Sequence, residues 1–87
     1  MTHFLVTDDN PGGYKLEDIL TLIRNDVITR TGKIMDDKRQ EAQHVMRNNM
    51  RILGFLTDSI ELARDSTEVL NRAFGPSDGV HPRIGAA

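Results

Sequence analysis

DKRQEAQHVMRNNMRILGFLTDSIELARDSTEVLNRAF, residues 37–74, contains no proline and a single glycine, Gly54. Counting from Met46 in alternating steps of three and four gives Met46, Asn49, Leu53, Leu56, Ile60, Ala63, Thr67, Leu70 and Phe74. Six of these nine are large apolar residues and Ala63 is a small one. That spacing describes a helix burying one narrow seam against other helices. The seam passes Gly54 in phase, whereas an inserted loop would reset the phase. One unbroken helix is therefore expected, with Gly54 costing about 1 kcal/mol relative to alanine. The competing reading is a restart at Thr57-Asp58-Ser59-Ile60-Glu61, with Thr57 or Asp58 as cap, giving a monomeric three-helix bundle broken at Gly54.

Upstream, Leu16, Ile19, Leu20, Ile23, Val27 and Ile28 recur at helical period, predicting a first helix from Tyr14 to about Thr31. Glu17 and Asp18 fall in its first turn, where acidic side chains suit the helix dipole. Gly32 is the expected C-terminal cap. Lys33-Ile34-Met35 then forms the connector, and Asp36 or Asp37 caps the second helix. One helix from Tyr14 to Phe74 would leave two apolar stripes in water, so a hairpin is preferred. Gly75 followed by Pro76 ends the second helix. The fold class is all-α: a short helix and a long heptad-patterned helix paired over residues 14–75 and assembling into an oligomeric bundle. Residues 1–13 are expected to be irregular and 76–87 a disordered tail. Asp8, Asn10 and Gly13 match calcium-loop positions one, three and six, but Ile19 stands where the closing glutamate belongs, so the run is a turn.

The chain has 87 residues, enough for one small domain, and a formal charge of −2, which drives it toward neither nucleic acid nor anionic lipid. The absence of cysteine excludes disulfides and thiolate metal sites. Without a long apolar run or a signal-peptide pattern, the expectation is a cytoplasmic protein with no membrane contact. No phosphate loop, nucleophilic triad or carboxylate pair stands out, so neither enzymatic activity nor a cofactor is expected. His3 and His81 lie in the terminal segments. No ligand-type residue accompanies His44 on its face of the helix, so no metal is expected.

The string His44-Val45-Met46-Arg47-Asn48-Asn49-Met50 resembles the phosphoacceptor box of a subset of sensor histidine kinases, in which histidine is followed by a basic residue, paired asparagines and an aliphatic residue. The resemblance covers seven residues, and Gln43 stands in place of the usual acidic neighbour. It implies a phosphoacceptor role for His44 on the exposed face of a dimerising helical hairpin.

Two further features bear on partners. Asn49 on the seam has the character of a residue that sets register and oligomeric state. Residues 37–54 carry Lys38, Arg39, Arg47 and Arg51 against Asp37 and Glu41, net +2, whereas residues 55–74 carry Arg64 and Arg72 against Asp58, Glu61, Asp65 and Glu68, net −2. Opposed copies would set basic half against acidic half. The expected oligomer interface is the seam itself: Met46, Asn49, Leu53, Leu56, Ile60, Ala63, Leu70 and Phe74. The second helix is expected to outreach the first, leaving Leu56, Ile60, Leu70 and Phe74 exposed on a lone hairpin. A non-catalytic binding or regulatory protein follows, acting through protein or small-ligand contacts, with a second copy and a protein partner, the latter contacting Arg47, Asn48 and Arg51. Four cations diluted by two anions, without aromatic residues between them, make nucleic acid a weaker choice of partner.

Overall fold

The computed structural model describes residues 4–75. Two helices make up the fold, α1 (Leu16–Ile34) and α2 (Gln40–Phe74), joined by residues 35–39. They pair as an antiparallel hairpin: Glu17, at the start of α1, bonds Thr67 on the last third of α2, and Ile34, at the end of α1, lines one hollow with Ala42 and Val45. The expected tail, His3 and His81 lie outside the described residues.

α2 runs unbroken through Gly54, so the three-helix arrangement does not form. Gly54 is exposed, and a Cβ there would meet nothing within 4 Å. Continuing the seam outweighs one weak helix former.

Three helix ends differ from expectation. α1 begins at Leu16 because Tyr14 is held extended: its N–H donates to the Phe4 carbonyl (2.9 Å) and its carbonyl accepts from Val6 N–H (2.8 Å). α1 also continues through Gly32 to Ile34. Thr31 is 4% exposed and its hydroxyl donates to the Val27 carbonyl (2.8 Å), so packing carries the helix past the glycine. α2 starts at Gln40 because the Asp37 carboxylate accepts Arg39 N–H (3.0 Å), an Asx turn that leaves Arg39 extended. At the other end Gly75 takes φ 79° and donates to the Asn71 carbonyl (2.8 Å), the glycine stop expected there.

The shifted ends change what α1 covers. Starting late, α2 offers its middle to α1 rather than its first half. Ile60 is 1% and Ala63 7% exposed, while Met46, Asn49, Leu53, Leu56, Thr67 and Leu70 are half-buried. The expectation that a lone hairpin exposes Leu56, Ile60 and Leu70 is thus corrected; Phe74 does remain exposed. The facing row on α1 is Glu17, Leu20, Arg24, Val27, Thr31 and Ile34, again at three-four spacing. Only part of the expected α1 stripe turns inward, since Leu16, Ile23 and Ile28 stay exposed.

Residues 4–14 fold into a tight loop closed by two isolated bridges, Leu5 with Tyr14 and Thr7 with Asn10. Gly13 is required there: a Cβ would lie 2.6 Å from the Leu5 carbonyl and the Asn10 amide. Val6 reaches the far end of α2, beside Ala63, Ser66, Thr67 and Leu70. The molecule measures 52 × 28 × 15 Å, a single layer of helices.

Candidate interaction surface

The residues of the phosphoacceptor-like string divide between two environments. His44, Arg47 and Asn48 are exposed, while Met46 and Asn49 turn toward α1. Gln43 does not flank His44 as a neighbour in solvent; its amide donates to the Asp37 carbonyl (2.6 Å) and ties α2 to the connector. Among the four cations of the basic half, Arg39 is engaged bidentately by Asp37, at 2.6 and 3.0 Å. The Arg39 guanidinium is the main reason the Asp37 carboxyl falls to a pKa of about 2. Lys38, Arg47 and Arg51 form no ion pair among the described residues.

Polar groups also enter the interior. Thr67 Oγ1 donates to the Glu17 carboxylate (2.7 Å). Arg24 sits on the inward row with its Nε covered and without a hydrogen-bond partner among the described residues.

A second stripe runs beside the seam of α2. Each seam position of α2 is preceded by a residue of a parallel row: Val45, Asn48, Ile52, Phe55, Ser59, Leu62, Ser66, Val69 and Ala73. One residue corresponds to about 100° around the helix, so this row lies on one flank of the seam. Val45, Ile52, Phe55, Leu62 and Val69 are all exposed, Leu62 at 69% and Phe55 at 62%. In an antiparallel pair, the residues one before each seam position lie on the same broad side of both helices. On α1 these are Leu16, Ile19, Ile23, Asp26, Arg30 and Lys33, with Asp26 and Arg30 forming an ion pair (2.9 Å). The residues one after the seam form the opposite side: Arg47, Met50, Gly54, Thr57, Glu61, Arg64 and Glu68 on α2. On α2 one broad side is therefore mainly apolar and the other largely polar. The signal was legible as doublets, Ile52-Leu53, Phe55-Leu56, Leu62-Ala63 and Val69-Leu70, recurring at three-four spacing.

Two open hollows lie on the apolar side. One, of about 430 Å³, is lined by Ile34, Asp37, Arg39, Glu41, Ala42 and Val45. The other, of about 250 Å³, lies under Val6 between Leu16 and Leu70. Among the described residues no three His, Cys, Asp or Glu side chains gather to hold a metal ion, and no helix is long and apolar enough to cross a membrane. No family model, no curated protein and no solved structure matches this chain.

Proposed function

We propose that this chain is a small non-catalytic helical binding protein that regulates a protein partner and acts as a homo-oligomer. The carrying observation is the imbalance of burial. Among the described residues only Ile60 and Ala63 are buried apolar side chains, against sixteen large apolar ones left exposed. Fully covering such a side chain contributes about 1.5–3 kcal/mol, and a whole domain is stable by only about 5–15 kcal/mol. Closed domains stack at least two layers around a core, and one layer of two helices has an uncovered side. Sedimentation equilibrium at low micromolar concentration is expected to show an assembly. A monomeric, cooperatively folded chain refutes the oligomer. Capture from the native host, compared between wild type and an Arg47→Ala variant, tests the partner surface.

The exposure of His44 supports a second reading, as a phosphoacceptor whose imidazole meets an incoming phosphoryl group unhindered. Incubation with a phosphorylated response regulator should then leave an acid-labile label that His44→Gln abolishes. An unlabelled wild type ends that reading.

A further inference from the structure

α1 packs along much of the seam expected to join two copies, and the exposed apolar row lies beside it. Resting on the homo-oligomer reading above, we propose that two copies join through the apolar broad side, with the stretch Val45–Leu62 of α2 antiparallel to its counterpart and the two-fold axis between Leu53 and Gly54.

Three observations select this occupant and register. The first is the row itself. Set antiparallel about that axis, its layers match in kind: Val45 faces Leu62 of the second copy, Ile52 faces Phe55, and Asn48 faces Ser59. Apolar meets apolar and polar meets polar, in the alternating layers of an antiparallel helix pair. The Ser59 hydroxyl already donates to the Phe55 carbonyl (2.8 Å), so covering it leaves no donor without a partner.

The second observation is charge. The positions flanking this row on its outer edge are His44, Arg51, Asp58 and Asp65, all exposed. In the same register Arg51 falls opposite Asp58 of the second copy, and His44 opposite Asp65. Neither Arg51 nor Asp58 forms an ion pair among the described residues. Sliding one copy by a heptad to move the axis to residue 57 keeps an acidic partner, Asp65, for Arg51 but sets Asp58 against Asp58 and Ser59 against Phe55, and sliding it the same distance again sets Arg51 against Arg72 and Asp58 against Asp65. Complementary rims fix register and suppress the alternatives.

The third observation is size. A broad side measuring 52 by 28 Å has room for the roughly 800 Å² per partner that a stable pairing needs.

The protein has no cysteine, so single thiols report the geometry without a background. In this register two copies of residue 52 lie about 5 Å apart along the helix axis and two copies of residue 59 about 17 Å apart, at 1.5 Å per residue. Ile52→Cys should give a covalent dimer with a short thiol-specific cross-linker. Ser59→Cys should not, and nor should Met50→Cys, which lies on the polar side. Leu62→Glu should raise the dimer dissociation constant at least tenfold and leave a helical, folded hairpin. Arg51→Asp and Asp58→Arg should each weaken association several-fold, and together restore it. If the wild type associates but Met50→Cys cross-links in place of Ile52→Cys, the side is wrong while self-association stands. Cross-linking of Ser59→Cys as readily as Ile52→Cys overturns the register. Should Leu62→Glu fail to fold, the cross-linking pattern decides alone. A wild type that stays monomeric at every concentration overturns both this inference and the homo-oligomer.

Discussion

Thr67 Oγ1 donates a 2.7 Å hydrogen bond to the Glu17 carboxylate across fifty residues of sequence. It joins the first turn of α1 to the last third of α2, far from the connector, and so sets how the two helices lie along each other. Thr67→Val keeps the shape of the side chain and leaves a part-buried carboxylate short of a donor. A loss of about 1–3 kcal/mol is expected in urea unfolding. Glu17→Gln, which still offers an acceptor oxygen, should lose less.

Asp37 links stability to acid. Arg39 holds its carboxyl at a pKa of about 2, below the 3.8 of an unconstrained aspartate. Because the folded value is the lower one, the contribution is fully present above about pH 4 and fades as pH falls through about 2. Asp37→Asn should flatten the pH dependence of thermal unfolding across that window and leave the curve near neutrality parallel to that of the wild type.

Two apolar residues two positions apart should behave oppositely. Ile60 is buried against α1, so Ile60→Ala should cost about 2–5 kcal/mol and Ile60→Asp should abolish folding. Leu62 projects outward, and within the hairpin Leu62→Ala removes little packing. Denaturation of the two variants at a dilution that favours separate chains would distinguish them.

The glycines divide in the same way. At Gly54 a Cβ meets open space, and Gly54→Ala should stabilise α2 by about 1 kcal/mol. At Gly13 it would press on the Leu5 carbonyl, so Gly13→Ala should open the N-terminal loop. Amide exchange at Val6 and Tyr14, whose N–H groups close that loop, reads the opening directly.

Arg24 places a covered Nε on the inward row with no hydrogen-bond partner among the described residues. Replacing it with methionine, of similar length and without a donor, should raise stability by about 1 kcal/mol or more. A melting temperature that falls instead would mean the guanidinium holds the hairpin together.

Much of this architecture is written in local pattern. The three-four spacing from Met46 to Leu70 marks the buried side of α2 because burial is what such a period records. Its continuity past Gly54 predicted one helix, and one helix forms. The helix starts were harder to see. Asp37 looks like a cap, but its carboxylate bonds Arg39 through both backbone and guanidinium, a choice made by three-dimensional geometry. Tyr14 looks like the first helical residue until Phe4 and Val6 bond it from outside. The apolar broad side was present in the sequence as doublets, but counting only one member of each doublet hides the other row. Arg24 and Thr31 interrupt the apolar stripe of α1, and nothing in a linear pattern says that they point inward.

The doublets carry one more consequence. Because α2 bears two rows of three-four spacing one residue apart, turning it by about 100° would present Ile52, Phe55 and Leu62 to α1 in place of Leu53, Leu56 and Ala63. Oily surface alone barely separates the two orientations. The difference is made by groups that can be satisfied in only one of them: the Thr67 hydroxyl on Glu17 at one end and the Gln43 amide on the Asp37 carbonyl at the other. In this small molecule grease supplies the adhesion, and two polar latches at opposite ends choose which way the long helix faces.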